Sequence, residues 1–267
     1  MTILLLGTDR TALDPVSPLG RRLRTYEDAA ERLIVLVPNA RGRARSLLEI
    51  RRRAIDTLRS ERVDVISTRD PYFLGFLAVR LARQFSVGLE IQVHGFERLG
   101  GVRKCLARYV LHRADSVRVV SERLARMVHN AFGISPDRIT VAPIYTDWER
   151  LQRIQPSFDL HTRYPGKFVF LTVGRLVPIK NIEMQVEAMK EIGDDAVLIV
   201  VGDGPESRRL TVPNVVHIGW TNDLVSYYKG ADCLLLTSHY EGWGLVAVEA
   251  ASVGLPIIMT DVGLAGE

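Results

Sequence analysis

The chain has 267 residues, of which 47% are hydrophobic and 25% are charged, as is typical of folded globular proteins. This length exceeds the usual domain size of roughly 100–200 residues, so we expect two domains. No apolar run reaches the roughly 18 residues of a membrane span, and the residues after Met1 lack the charged start of a signal peptide. Cys105 and Cys233 have neither metal-site nor redox-pair spacing, so we expect a cytoplasmic protein.

The net charge of +4 is unevenly divided along the chain. Residues 1–150 carry 26 Lys+Arg against 17 Asp+Glu, whereas residues 151–267 carry 9 against 14. The densest basic stretch begins at Arg41 and places Leu47 and Ile50 at helical spacing beside its arginines, which predicts a helix with a basic solvent-facing side. This basic face can be interpreted as an ordinary solvent-exposed surface. The alternative interpretation is that it makes peripheral contact with an anionic membrane, at the inner membrane face. Nucleic acid is not expected, because no aromatic-rich binding motif accompanies the charge.

Apolar strand-like runs alternate with helical stretches throughout the chain, a pattern typical of doubly wound parallel sheets. A polar, proline-bearing stretch at residues 151–166 is interpreted as a linker between domains at 1–150 and 167–267. The predicted fold class is therefore α/β, with two Rossmann-like domains facing a cleft. The predicted strands are Ile3–Leu6, Leu33–Val37, Val63–Ser67, Leu89–Val93, Ser116–Val120, Ile139–Val141, Phe168–Val173, Val197–Val201, Val215–Ile218, Cys233–Leu236 and Pro256–Thr260.

Polar residues follow several of these strands, and ligands bind at the carboxyl ends of parallel strands. His94 ends one strand of the first domain and precedes a glycine, a position that fits a structural and a functional histidine equally well. In the second domain, Gly174-Arg175 and Lys180 follow a strand, although cations in a loop are often ordinary surface charge. Gly202 and Gly204 form a glycine turn after the next strand, a pattern that any tight turn uses.

The segment Ser238–Glu249 is the most informative part of the chain. It follows an apolar strand, and Gly244 permits a sharp turn before an apolar helix that starts at Leu245. A helix start binds phosphate well, because its first N–H groups have no partner within the helix. Glu249 lies among apolar residues and needs a partner, for which ribose hydroxyls are suited. The alternative is that Glu241 caps the helix and Glu249 pairs with a basic side chain.

Glu241 and Glu249, with Trp243 between them, resemble the E-x7-E motif of retaining glycosyltransferases of the GT-B fold, specifically glycosyltransferase family four. The resemblance implies that Glu241 contacts the transferred sugar and Glu249 holds the nucleotide ribose. Arg175 and Lys180 match the two cations that hold the donor diphosphate in that family.

Further positions are carried over from the same family with less specificity. His94 resembles its sugar-proximal histidine, and the strand around Ile218 resembles the segment whose backbone lies against the base. The remaining implied contacts to the nucleotide sugar are Gly174, Gly202, Gly204, Gly244 and Leu245.

The resemblance implies a front-face reaction between a nucleoside-diphosphate sugar and a glycan or lipid-linked acceptor. No D-x-D pair occurs, so neither a bound metal nor another cofactor is expected, and the cations take over the role of the metal. Two other functions remain open. One is a GT-B sugar-nucleotide epimerase, and the other is a non-catalytic protein that binds sugar nucleotides.

Members of the family continue well beyond the point that corresponds to Glu267, adding strand, helix and commonly a final helix. On that resemblance we expect the second domain to be incomplete and the sequence to be a truncated part of a longer enzyme.

Overall fold

The computed structural model describes residues 1–40, 42–96 and 99–267, which form two compact units, Met1–Pro143 and Ile144–Glu267. Each unit is built on one parallel sheet with helices packed against it. Arg41, the first residue of the predicted basic stretch, lies outside the described residues.

In the described part of the first unit, six strands pair in the order β2-β1-β3-β4-β5-β6. The strands are β1 Thr2–Leu6, β2 Arg32–Leu36, β3 Val65–Thr68, β4 Gly88–Val93, β5 Ser116–Val119 and β6 Ile139–Val141. The α-helices are α1 Pro18–Ala29, α2 Arg43–Ser60, α3 Phe73–Phe85, α4 Gly101–Leu111 and α5 Glu122–Phe132.

The second unit contains a five-stranded sheet in the order β11-β10-β7-β8-β9. Its strands are β7 Phe168–Val173, β8 Ala196–Val201, β9 Val215–Gly219, β10 Cys233–Leu236 and β11 Ile257–Met259. Its α-helices are α6 Trp148–Arg153, α7 Leu160–Arg163, α8 Ile182–Ile192, α9 Leu224–Gly230 and α10 Leu245–Ser252.

The central strands are continuous apolar runs because a parallel sheet is covered on both faces. Every residue of β8 is buried, as are Leu4 and Leu6 of β1. Each strand predicted from the sequence is present, within two residues of its predicted bounds. The basic stretch forms α2 as predicted, with Ile50 and Ala54 buried beneath a face of exposed arginines.

The residues interpreted as a linker, 151–166, are folded onto the second unit. They contain the end of α6 and all of α7, and Leu160 is buried in the same core cluster as Tyr227 and Tyr228. The Lys229 ammonium donates to the backbone carbonyls of Gln152 and Ile154, at 2.7 and 2.6 Å. These contacts attach the stretch to α9 along its length.

Candidate functional site

The strand order of the second sheet reverses between β7 and β10, because the chain runs from β7 through β8 and β9 on one side and later returns to β10 on the other. Such a reversal opens a crevice at the carboxyl ends of the two strands, which is where open parallel sheets bind ligands. Arg175 and Lys180 follow β7, and Glu241 follows β10. Sheet order therefore brings together three of the predicted residues.

Lys180 and Glu241 form an ion pair at this crevice, with 2.5 Å between the Lys180 Nζ and Glu241 Oε1 atoms. Their side chains are only 21% and 11% exposed. The Ser238 hydroxyl donates to the same Oε1 atom at 2.7 Å. Both contacts use one carboxylate oxygen, so the other, Oε2, has no hydrogen-bond partner in the described residues. The carboxylate is held in place and still has an oxygen available to a substrate hydroxyl.

The loops after β7 and β10 are joined to each other through their backbones. The His239 N–H donates to the Ile179 carbonyl at 2.8 Å, and the Thr237 hydroxyl donates to the Asn181 carbonyl at 3.0 Å. A 3₁₀ turn over Pro178–Lys180 ends at Asn181, which has a positive φ of 49°. These bonds hold the residues on either side of the Lys180–Glu241 pair, so the geometry of the pair does not depend on its own attraction.

Helix α10 begins at Leu245, with Gly244 as its N-cap at a φ of 97° and no side-chain cap. The alternative that Glu241 caps this helix is therefore wrong. In the next turn, the carboxylate of Glu249 accepts a hydrogen bond from the Tyr228 hydroxyl at 2.8 Å. Tyr228 is almost fully buried, and burial together with the Glu249 charge raises the pKa of its hydroxyl well above the usual range. Tyr228 thus stays a neutral donor that orients Glu249.

The predicted glycine positions lie where backbones approach closely. A Cβ atom on Gly202 would lie 1.9 Å from the Gly174 carbonyl oxygen, and one on Gly204 would lie 2.2 Å from that of Leu176. The Gly174 N–H donates to Val201, and the Leu176 N–H donates to Asp203, both at 2.9 Å. Gly202 and Gly204 are therefore required by packing between the β7 and β8 loops. Their predicted role in binding stays a prediction.

The remaining predicted residues are spread over both units. Ile218 lies on β9, half-buried against the core of the second unit. His94 follows β4 in the first unit, where burial, and to a smaller extent the charges of Arg69, Arg118 and Arg22, lower its pKa from 6.5 to about 3. Its imidazole is therefore neutral at physiological pH.

Sequence reasoning assigned no role in this region to Ser238, Tyr228 or Gly263. A Cβ atom on Gly263 would lie 2.5 Å from the Trp243 carbonyl oxygen and 2.9 Å from Glu241 Cβ, so the turn after β11 packs directly against the Glu241 loop. The Trp243 indole nitrogen is also buried and has no hydrogen-bond partner among the residues that the structure describes. No local pattern marks these residues, because each contact joins segments that are distant in sequence or depends on a turn.

The described residues contain neither a cluster of metal-ligating side chains nor a membrane-spanning helix. No group of three or more His, Cys, Asp or Glu side chains in these ranges could hold a metal ion. Among the same residues, no helix is both long and apolar enough to cross a membrane.

The fold agrees with that of solved structures. The crystal structure of Anabaena Alr3699/HepE in complex with UDP and glucose matches with a TM-score of 0.79 at 18% identity, over 99% of this chain and 82% of that one. The predicted α/β class, a GT-B fold with two doubly wound parallel sheets, is confirmed.

Curated relatives resemble the chain over a part of their own length. The UDP-Gal:alpha-D-GlcNAc-diphosphoundecaprenol alpha-1,3-galactosyltransferase of Escherichia coli is 29% identical over 242 residues, which cover 77% of this chain and 59% of that protein. The D-inositol 3-phosphate glycosyltransferase of Rhodococcus erythropolis (strain PR4 / NBRC 100887) is 30% identical over 178 residues, which cover 56% of this chain and 39% of that protein. The chain thus spans about half the length of these relatives.

Two family models match the chain in succession. The model for glycosyl transferases group 1 matches residues 155–267, which contain the Lys180–Glu241 pair and Glu249. The model for glycosyltransferase family 4 matches residues 12–150, more than half of the chain. The chain therefore belongs to glycosyltransferase family 4.

Proposed function

We propose that the protein is a retaining hexosyltransferase that transfers a sugar from a nucleoside-diphosphate sugar to a glycan or lipid-linked acceptor without a metal ion. The observation that carries this proposal is the Lys180–Glu241 pair at the crevice between β7 and β10. A cation for a diphosphate and a carboxylate for a sugar stand side by side there. The match to a protein solved with UDP and glucose supports a donor of this class.

In the proposed complex, the donor diphosphate lies near Lys180, Arg175 and the start of α10. Phosphate is stabilised there by two cations and by the free N–H groups of a helix start. The Oε2 atom of Glu241 accepts from a hydroxyl of the transferred sugar, and the Trp243 indole N–H is a further donor within the same loop. Glu249, oriented by Tyr228, accepts from the ribose hydroxyls.

The proposed reaction breaks the bond between the anomeric carbon of the sugar and the oxygen of the leaving phosphate. A bond from the acceptor oxygen to the same carbon forms on the same face, which retains the anomeric configuration. The acceptor's proton passes to the departing phosphate oxygen, so no enzymic nucleophile is needed. Lys180 and Arg175 stabilise the charge that develops on the leaving diphosphate, which is the main contribution expected from the protein. We further propose that His94, neutral at physiological pH, donates a hydrogen bond to the sugar.

Relatives guide the choice of acceptor class. The name of the Escherichia coli relative specifies a diphosphoundecaprenol-linked sugar, and that of the Rhodococcus relative specifies an inositol phosphate. We therefore place lipid-linked and phosphorylated acceptors first among the candidates.

The surface formed by α2 and α3 supports contact with an anionic membrane. A groove of about 760 Å³ separates the two helices and is lined by apolar and basic side chains, among them Leu48, Phe76 and Arg51. Leu48 is 67% exposed and Phe76 is 36% exposed. Exposed apolar groups beside arginines suit the boundary between anionic headgroups and acyl chains.

Vesicle sedimentation tests the membrane contact. Arg51→Gln combined with Arg52→Gln should weaken binding to phosphatidylglycerol vesicles by about 2 kcal/mol, since each basic residue near such a surface contributes about 1 kcal/mol. Arg126→Gln combined with Arg150→Gln changes the net charge equally at exposed positions outside this surface. Equal binding by the two double variants, or no preference for phosphatidylglycerol over phosphatidylcholine, would remove the membrane contact.

The donor assignment is tested by calorimetric titration with UDP, GDP and ADP and with their sugars. Glu249→Ala should weaken binding of nucleotide and sugar nucleotide alike, whereas Glu241→Gln should weaken mainly the sugar nucleotide. Lys180→Met should weaken every diphosphate. Lys190→Met is the matched control, because Lys190 is an exposed lysine of α8 paired with Glu187. If Lys180→Met and Lys190→Met behave alike, the site assignment is wrong.

Turnover separates the transferase from the alternatives. With a labelled donor and an acceptor, Arg175→Ala and Lys180→Ala should each lower turnover by roughly 10²–10³-fold, the scale of lost charge stabilisation in a transition state. The anomeric configuration of the product, read by NMR, tests retention. Activity that EDTA abolishes and a divalent metal restores would contradict the metal-free step. Conversion of the sugar nucleotide without any acceptor would identify an epimerase.

A further inference from the structure

A row of polar side chains crosses the carboxyl end of the first sheet. Thr68 of β3 pairs with Ile91 of β4, so Arg69, the residue after β3, lies beside Gln92. Gln92 in turn pairs with Arg118 of β5. Neighbouring strands are about 4.8 Å apart, and residues in one row point to the same face. We call Arg69, Gln92 and Arg118 the arginine row.

The arginine row lies on the face of the sheet that α1 covers. The Arg118 guanidinium donates to the Tyr26 hydroxyl at 2.7 Å and to the Ala142 and Pro143 carbonyls at 3.1 Å. Arg118 is thereby fixed in place and contributes mainly its charge. Arg22 lies one helical turn before Tyr26, and its charge also acts on Arg69, whose pKa is lowered first of all by burial. Positive charge therefore converges on Arg69.

Two members of the row have buried polar atoms without a hydrogen-bond partner in the described residues, namely Arg69 Nε and Gln92 Oε1. His94, two residues beyond Gln92 on the same face, adds a third such atom, its Nε2. Buried polar groups in proteins are bonded in the great majority of cases, so three orphaned atoms in adjacent positions call for an explanation.

The carboxylates of Asp9 and Glu90 do not bond to these orphaned atoms of Arg69 and His94. Asp9 acts on the charge of Arg69, but its carboxylate already accepts from the Thr11 N–H and hydroxyl, at 2.9 and 2.8 Å. Glu90, one step below Gln92 on the same face, accepts from Ser67 and from Gln92 itself. Arg69 has no ion pair with either of them.

This inference rests on the proposed transferase function. We infer that the arginine row binds a phosphate group of the acceptor. A guanidinium presents a planar set of N–H donors that matches phosphate oxygens, and among the described residues the buried Nε of Arg69 has no acceptor. Gln92 Oε1 accepts from a hydroxyl beside that phosphate. The phosphate belongs either to a soluble phosphorylated acceptor or to the headgroup of a lipid-linked one, and both present the same oxygens to Arg69.

Hydrogen exchange with inorganic pyrophosphate tests the inference at the level of single peptides. Pyrophosphate should protect residues 65–75 and 88–96 in the first unit, and also residues 172–182 if the donor site exists. Arg69→Gln should raise the pyrophosphate concentration needed to protect residues 65–75 and 88–96 by roughly tenfold to a hundredfold, because charge-assisted hydrogen bonds are lost. It should leave 172–182 unchanged.

Matched variants make the result specific. Arg126→Gln removes one exposed arginine of α5 and should change neither protection pattern. Arg69→Lys keeps the charge without the planar donors and should retain part of the protection, which also covers the case in which Arg69→Gln does not fold. Absence of protection at 65–75 in the wild-type protein, or equal protection in Arg69→Gln, overturns the inference.

Farnesyl diphosphate distinguishes a lipid-linked from a soluble acceptor, and the nucleotides UDP, GDP and ADP distinguish the phosphate site from the proposed donor site. Farnesyl diphosphate that protects residues 65–75 at lower concentration than pyrophosphate indicates a lipid-linked acceptor, and equal concentrations indicate a soluble one. UDP, GDP and ADP should protect 172–182 in Arg69→Gln as in the wild type. If these nucleotides instead require Arg69, the row serves the donor and the inference fails. If none of them protects 172–182 while pyrophosphate still protects 65–75, the proposed donor site fails and the phosphate site remains.

Discussion

His94 makes the stability of the first unit depend on pH in a way that can be calculated. Burial and three neighbouring arginines lower its pKa from 6.5 to about 3. Between these two values the unfolded chain binds a proton at His94 and the folded chain does not. Stability therefore falls as the pH is lowered through this window, and above about pH 7 the histidine has no effect because it is neutral in both states.

The size of the effect follows from the same two pKa values. One pKa unit corresponds to about 1.4 kcal/mol, so protonation of the unfolded state with a pKa of 6.5 should lower the free energy of unfolding by about 2 kcal/mol at about pH 5 relative to about pH 8. This loss at about pH 5 is nearly the same for any folded-state pKa below about 4. His94→Gln keeps a nitrogen donor but does not titrate, so it should lack this part of the pH dependence.

Urea titrations at the two pH values should be read separately for the two units. Pulsed hydrogen exchange of the β4 peptide reports on the first unit. All three tryptophans, Trp148, Trp220 and Trp243, lie in the second unit, so their fluorescence is an internal control that His94 should not affect. The quantity of interest is the difference in pH dependence between wild type and His94→Gln. A difference below about 0.5 kcal/mol in the first unit would refute the reasoning, since the shift predicts about 2 kcal/mol.

Three other substitutions test the second unit by urea unfolding or light scattering. Gly202→Ala should destabilise it by about 2–4 kcal/mol because the new Cβ would clash with the Gly174 carbonyl. Gly254→Ala, in the same unit and also at a positive φ but with nothing within 4 Å of the added Cβ, should cost only the backbone strain of about 1–2 kcal/mol, and equal effects would contradict the packing argument. Tyr228→Phe should lower the free energy of unfolding by about 1.5–3 kcal/mol, because it removes the hydrogen-bond donor to Glu249, whereas Tyr227→Phe should be near neutral. A larger loss for Tyr227→Phe than for Tyr228→Phe would show that the Tyr228–Glu249 bond does not stabilise the unit. The edge strand β11 exposes Ile258 (59%), and an apolar sheet edge favours pairing between molecules, so we expect the protein to self-associate at high concentration. Ile258→Lys should reduce this self-association more than Met184→Lys on α8, where the side chain is 54% exposed, and equal reductions would show that the edge plays no part.

The fold was predictable where the sequence carries continuous apolar runs. Strand β8 is buried at every position, so its sequence alone identifies it. The structure of residues 151–166 could not be predicted in the same way, because α6 and α7 are only six and four residues long and are too short to show a helical period. Leu160 packs into the core there, but a single apolar residue in a polar stretch gives no signal.

The candidate site was predictable in its residue types and not in its contacts. Lys180 and Glu241 are 61 positions apart, and they meet only because β10 lies beside β7 in the sheet. That neighbour relation is a property of the topology, which no local pattern specifies. The partner of Glu249 shows the same limit, since Tyr228 reads from the sequence as an ordinary core aromatic. Arg69 stands after a four-residue strand and becomes notable only once the β3–β4 register is known.

The two units organise positive charge in different ways, and this difference fits the ligands proposed for them. In the second unit Lys180 is paired with Glu241, so a diphosphate must compete with the carboxylate for the ammonium. When a diphosphate takes the Lys180 ammonium, the Glu241 carboxylate loses its partner. A sugar hydroxyl of the ligand can then donate to Glu241 instead, which favours the sugar nucleotide over the nucleotide alone. Among the described residues of the first unit, no carboxylate forms an ion pair with Arg69, although the Asp9 charge acts on it, so a phosphate is attracted by charge whatever is attached to it. Selectivity for the rest of an acceptor must then come from its contacts outside the arginine row.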